Sequence, residues 1–207
     1  GIRNPEYRLR WGERFGQINC DEYGYDIWLH AVSIGETNAA TPLVNELLRL
    51  KPELRILITS MTPTGSNRVI DTFGARVDHC YIPYDYSFAV KRFLSRTRPR
   101  LLVLMETEIW PNLIQICSER GVPVLMMNVR LSEKSHRNYS RVAPIVRPVL
   151  RSITAFGTQS EEHRQRLINL GARPSTVHRT GSMKFEVKLA AGVREVAEAV
   201  RREWGRH

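Results

Sequence analysis

Residues 27–50 read Ile27-Trp28-Leu29-His30-Ala31-Val32, then Ser33-Ile34-Gly35-Glu36-Thr37, then Asn38 through Leu50. The first six positions form a nearly continuous apolar run of strand length, closed by a serine and a glycine. From Asn38 to Leu50 the apolar residues Ala40, Leu43, Val44, Leu47 and Leu48 recur at helical spacing. A strand that is apolar on both faces, followed by an amphipathic helix, is one βα unit of a covered parallel sheet.

The same unit recurs along the chain. Strand-length apolar runs stand at Leu54–Thr59, Cys80–Ile82, Leu101–Met105, Val122–Asn128 and Ile153–Phe156, with a shorter one at Thr176–Thr180. Helical periodicity fills Asn112–Arg120 and Glu161–Leu170. Ser160-Glu161-Glu162 caps the second of these, and Gly171 closes it. Gly121 and Pro123 end the first in the same way. The alternation predicts an α/β, Rossmann-like parallel sheet of about six or seven strands with helices on both faces. That domain is expected over residues 21–182. Residues 1–20 are a basic segment carrying Tyr7, Trp11 and Phe15, and they suit either a membrane surface or a solvated arm. Residues 183–207 read as a linker and one amphipathic helix, roughly Leu189–Trp204.

Composition narrows the partners. The 207 residues are 42% hydrophobic and 25% charged, as in ordinary globular proteins, and no apolar run reaches the length of a membrane span. Cys20, Cys80 and Cys117 form no CxxC pair, so free thiols are expected and neither a metal site nor a cofactor is indicated. A net charge of +10 favours an anionic ligand. Five cations, Lys134, Arg137, Arg141, Arg147 and Arg151, are interleaved with Tyr139, Val142, Ile145, Val146 and Leu150 without an acid. Pro144 and Pro148 argue against one straight helix there. Such a surface suits anionic lipid, whereas no DNA- or RNA-binding motif is present and nucleic acid is set aside.

Chemistry is expected at the carboxyl ends of the strands, where open α/β sheets bind ligands. Gly35 would allow a tight turn there, and Glu36 falls at a helix start, where the dipole favours the ionised carboxylate. An ionised carboxylate held at a ligand edge can accept a proton, although an acidic residue also simply favours that helical position. Ser60-Met61-Thr62-Pro63-Thr64-Gly65-Ser66 supplies hydroxyls and backbone N–H groups suited to an anion, or else a capped turn. Met105-Glu106-Thr107-Glu108-Ile109-Trp110-Pro111-Asn112 puts two acids after a buried strand; Glu106 is the better site candidate and Glu108 the more structural. Pro111 suits a first helical turn. Neither GxGxxG nor GxxxxGK[ST] occurs, which disfavours dinucleotide enzymes and P-loop NTPases. On chemistry alone, Glu36 and Glu106 could also be the carboxylate pair of a glycosidase.

In order, the segments HAVSIGE (30–36), TSMTPTG (59–65), YIPYD (81–85), METEIWPN (105–112), NVRLS (128–132) and GSMKF (181–185) resemble the N-terminal half of bacterial 3-deoxy-D-manno-octulosonic acid (Kdo) transferases. The resemblance runs from Arg3 to Phe185. It implies the GT-B architecture, with acceptor on this domain and the donor CMP-Kdo bound mainly by a second domain that follows in the family. It makes Glu36 the base that deprotonates the acceptor and gives Glu106 and Lys184 transition-state stabilisation. Acceptor contacts are expected from Ser33, Gly35, Thr62, Thr64, Gly65 and Arg130. The implied acceptor is the lipid A precursor, met at the cytoplasmic face of the bacterial inner membrane. By itself this half is expected to bind acceptor without turnover. A non-catalytic anionic-lipid module, or a GT-B transferase using another sugar nucleotide, are the competing assignments.

Overall fold

Seven short strands carry the fold: β1 (Ile27–His30), β2 (Ile56–Ser60), β3 (Asp78–Tyr81), β4 (Leu102–Met105), β5 (Val124–Val129), β6 (Ala155–Thr158) and β7 (Val177–Arg179). In the computed structural model, which describes residues 10–20 and 23–183, they form one sheet in the order β3-β2-β1-β4-β5-β6-β7. The β1–β2, β2–β3, β5–β6 and β6–β7 pairs all run parallel. Helices connect them: α1 (Trp11–Arg14), α2 (Ile34–Leu50), α3 (Pro63–Phe73), α4 (Ser87–Thr97), α5 (Pro111–Glu119), α6 (Glu133–Arg141), α7 (Ala143–Ser152) and α8 (Glu161–Leu170). Lys184 and the helix expected over Leu189–Trp204 lie outside the described residues.

The chain divides into two compact units after Val103. In the first, every residue of β1 and β2 is buried. Trp28 is fully buried, lies 4.6 Å from the Phe93 ring, and donates its indole N–H to Thr59 Oγ1 at 2.8 Å. That bond removes the penalty of a buried indole donor, so the ring contributes its full apolar area. The described part of the basic N-terminal stretch is built into this unit. Gly16 (φ 76°) passes so close to α4 that a Cβ would strike the Ala89 carbonyl oxygen and the Phe93 nitrogen. Arg14 is only 2% exposed, stacks 4.3 Å over Tyr81, and donates to the Met61 carbonyl at 2.9 Å.

In the second unit, β5 is buried at all six positions. Ser160 caps α8 by accepting from the His163 N–H, and Gly171 closes that helix in the left-handed region, as its sequence predicts. Trp110 and Pro111 open α5 as expected. The basic stretch breaks at Val142, so that Pro144 falls in the first turn of α7, while Pro148 is tolerated inside it. Several strand limits shift by one or two residues from the apolar runs, in part because those runs continue into buried loop positions such as Ala31 and Ile82.

Candidate active site

Glu36 stands in the first turn of α2, just past the carboxyl end of β1, and is 8% exposed. Its Oε2 accepts the Val32 N–H at 2.7 Å, and its Oε1 accepts the Ser33 hydroxyl at 3.4 Å. The short backbone bond fixes the side chain against its own loop and satisfies a donor that the strand leaves behind. Gly35 does not make the turn expected of it. It is helical, within α2, and an added Cβ would find nothing nearer than Ser33 Oγ at 3.8 Å. The turn is instead made by extended Ser33, and Gly35 leaves the helix start bare beside the carboxylate.

The Ser60–Ser66 loop is joined to this one through Val32. The carbonyl of Val32 accepts the Met61 N–H at 3.3 Å and the Thr62 hydroxyl at 3.4 Å. Thr62 also caps α3 by accepting the Gly65 N–H at 3.0 Å. Gly65 permits the approach, since a Cβ there would lie 3.0 Å from Thr62 Oγ1 and 3.1 Å from the Val32 oxygen. The Thr62 hydroxyl is thus engaged internally, whereas Thr64 is exposed, with its Oγ1 3.3 Å from that of Thr62. Ser66 turns inward, 2.7 Å from His79 Nε2, and receives Arg10 at 3.2 Å. Behind the site, burial lowers His30 to about 4, and burial first, then Arg10, lowers His79 to about 4.

In the second unit, Glu106 follows β4 with a left-handed backbone (φ 62°), its N–H on the Met127 carbonyl at 2.8 Å. A glutamate in that region is uncommon, and such positions concentrate at functional sites. Glu108 accepts the Trp110 indole N–H at 2.7 Å; burial chiefly, with the nearby Glu106 charge adding, raises its carboxyl above the usual range. Glu108 is therefore engaged in holding Trp110. Arg130 has an exposed side chain, and its carbonyl accepts the Thr107 hydroxyl at 2.9 Å. Asn128, buried at the end of β5 with φ 58°, is a residue to which the sequence motifs assign no role. Asparagine's tolerance of left-handed backbone was the one available signal. Ser33, Gly35, Glu36, Thr62, Thr64 and Gly65 gather in the first unit, and Glu106 and Arg130 in the second. Exposed Lys134, Arg137, Arg141, Arg147 and Arg151 flank Val142 and Ile145, which are 44% and 63% exposed. Among the described residues no helix is long and apolar enough to cross a membrane, and no cluster of potential metal ligands occurs.

The fold is shared with UDP-GlcNAc 2-epimerases. A structure of the Neisseria meningitidis enzyme bound to UDP-GlcNAc superposes with a TM-score of 0.55 at 10% identity, covering 86% of this chain and 52% of that one. A second UDP-N-acetylglucosamine 2-epimerase gives 0.57 at 12% identity, covering 79% of this chain and 50% of its own. The class is thus a Rossmann-like half of the GT-B architecture. A family model described as "3-Deoxy-D-manno-octulosonic-acid transferase (kdotransferase)" matches residues 9–187, and the chain belongs to that family. It is 35% identical over 206 residues to the 3-deoxy-D-manno-octulosonic acid transferase of Haemophilus influenzae, covering 98% of this chain and 48% of that protein. With the transferase of Bordetella pertussis the identity is 38% over 178 residues, covering 84% of this chain and 41% of its relative. The chain spans about half the length of the curated relatives it matches.

Proposed function

We propose that this chain is the acceptor-binding half of an inverting glycosyltransferase that moves Kdo from CMP-Kdo to a lipid A precursor, lipid IVA. The observation that carries the assignment is the carboxylate of Glu36, fixed by the Val32 N–H and the Ser33 hydroxyl beside a bare helix start. Membership of the Kdo transferase family supports the choice of sugar.

In this scheme Glu36 takes the proton from the acceptor hydroxyl as its oxygen attacks the anomeric carbon of Kdo. The bond from that carbon to the phosphate oxygen breaks, and CMP leaves with inversion. Glu106 and Lys184 act on charge developing at the transferred sugar and the leaving phosphate. Ser33, Gly35, Thr62, Thr64, Gly65 and Arg130 frame the acceptor; of these, Thr64 and Arg130 retain side-chain groups able to face it directly. No metal or organic cofactor has a step in the scheme.

The cations of α6 and α7, with Val142 and Ile145 between them, are assigned to the anionic cytoplasmic face of the inner membrane. Reversing Arg141 and Arg147 to glutamate should abolish binding to phosphatidylglycerol-containing vesicles; unchanged sedimentation would refute that placement. The function itself is tested by Kdo transfer from CMP-Kdo to lipid IVA by the full-length protein, with Glu36→Gln alongside. Transfer that collapses in the variant establishes both donor and base, and a wild-type protein that transfers no Kdo removes the assignment.

A further inference from the structure

Helix α1 carries an arginine whose burial packing alone does not explain. Arg14 is almost sealed from solvent, and no carboxylate pairs with it among the described residues. Its guanidinium lies 4.3 Å from the Tyr81 ring and 5.6 Å from that of Tyr84. Its Nε is buried without an acceptor among the described residues. Taking a cation out of water without a partner charge is costly, and a well-packed apolar side chain of similar volume is often no less stable. What an apolar side chain could not do is donate to the Met61 carbonyl, as Arg14 Nη2 does at 2.9 Å.

Met61 begins the loop that leads into α3, and that loop holds the backbone beside Glu36. The Met61 N–H and the Thr62 hydroxyl reach the Val32 carbonyl at 3.3 and 3.4 Å. The Val32 N–H in turn donates to Glu36 Oε2 at 2.7 Å. The far end of the loop is held from the same helix. Arg10, at the N-cap of α1, donates to Ser66 Oγ at 3.2 Å and to the His79 carbonyl at 3.1 Å. Glu13 fixes Arg10 by accepting its Nε at 2.7 Å, and it also takes the Tyr81 N–H at 2.7 Å. Arg10 has a left-handed backbone, φ 57°, which an arginine keeps only where its surroundings impose it. Two arginines one turn apart thus grip both ends of the Met61–Ser66 loop.

We propose that Arg14 and Arg10 are positioning residues for Glu36: they fix the loop whose Met61 and Thr62 hold Val32, and Val32 holds the carboxylate. This rests on the assignment of Glu36 as the base made above. A loosened loop is enough to matter, since misplacement by about 1 Å can cost on the order of 100-fold in rate.

The test measures Kdo transfer from CMP-Kdo to lipid IVA by the full-length protein in four forms: wild type, Arg14→Met, Glu36→Gln and the double variant. Arg14→Met keeps an apolar side chain against Tyr81, so its urea midpoint should equal or exceed that of wild type. Its kcat should nonetheless fall roughly 10- to 100-fold with KM for acceptor unchanged. The double variant should be no slower than Glu36→Gln, because a group that acts only through another has nothing left to lose. Losses that multiply overturn the positioning role, and so does wild-type turnover in Arg14→Met. A Glu36→Gln enzyme with wild-type turnover overturns it differently, through the assignment beneath it, and that single variant tells the two failures apart. Hydrogen exchange supplies a readout that a general folding defect would not mimic: in Arg14→Met the Val32 amide should lose protection while the β1 amides keep theirs. Unchanged protection at Val32 would also overturn the proposal. If Arg14→Met does not fold, Arg10→Gln carries the same measurements from the other end of the loop, and wild-type kcat there would be equally fatal.

Discussion

Glu36 offers a perturbation in which chemistry and structure separate. Glu36→Gln removes the proposed proton acceptor but keeps a carbonyl oxygen able to take the Val32 N–H, now 2.7 Å from Oε2. The loss is the difference between a charge-assisted and a neutral hydrogen bond, plus the helix-dipole term, about 1 kcal/mol in all. Glu36→Ala removes the acceptor entirely and leaves the Val32 N–H unpaired in a part-buried loop, about 2–3 kcal/mol. Both variants should lose roughly 100- to 10,000-fold in turnover, the usual worth of a general base. Urea unfolding of the variants against wild type measures the first pair of numbers, and Kdo transfer by the full-length protein measures the second. Equal stability of the Ala and Gln variants would show that the Val32 bond does not anchor this side chain. A fully active Gln variant would move the base elsewhere, with Glu106 the next residue to replace.

Three further outcomes are expected. Gly35→Leu should leave stability within about 1 kcal/mol of wild type, since the position is helical and open, yet raise KM for the acceptor; an unchanged KM would remove Gly35 from the acceptor surface. Gly65→Ala should cost about 1–3 kcal/mol by forcing apart Thr62 and the Val32 carbonyl, measured by urea unfolding, and a neutral result would show that the two loops are not closely joined. Burial holds His30 and His79 near 4, against 6.5 in the unfolded chain, so between those values the unfolded state binds protons that the folded state refuses. Stability should therefore fall as pH drops from about 6.5 towards about 4, by roughly 1 kcal/mol per pH unit for each histidine, and a flat profile between pH 7.5 and 5 would contradict their burial as neutral rings.

The fold was legible because burial in a parallel sheet writes itself as apolar runs. All seven strands coincide with runs in the sequence, and Ser160, Gly171 and Pro111 mark helix limits by chemistry that needs no tertiary partner. The placement of Glu36 in a first helical turn was legible for the same local reason, because a strand end and a helix start bracket it. Gly35 was misread since a glycine beside a strand end looks like a turn, and only the backbone shows it to be helical. Arg14 and Asn128 could not be found this way. Arg14 looks like one more surface cation until Tyr81 and Met61, more than 40 residues away, close over it. The hydrogen bonds that hold the Asn128 side chain come from Gln159 and Met183, 31 and 55 residues along the chain.

A consequence for recognition follows from which hydroxyls are engaged internally. Thr62 is used on the Gly65 N–H and the Val32 carbonyl, and Ser66 on His79 and Arg10. Neither can turn to a ligand without giving up a bond that holds the loop. In the first unit the groups left for an anionic or hydroxylated acceptor are Thr64 and the exposed N-terminus of α2 beside Gly35. Thr62 and Gly65 then set the position of Val32, and Val32 sets that of Glu36. Substitutions at Thr62 or Gly65 should accordingly act on turnover through the placement of the proposed base, whereas substitutions at Thr64 or Gly35 should act on acceptor affinity. Acceptor KM and kcat measured across these four positions would divide along that line, and a uniform loss of affinity at all four would mean that the whole loop is a direct binding surface.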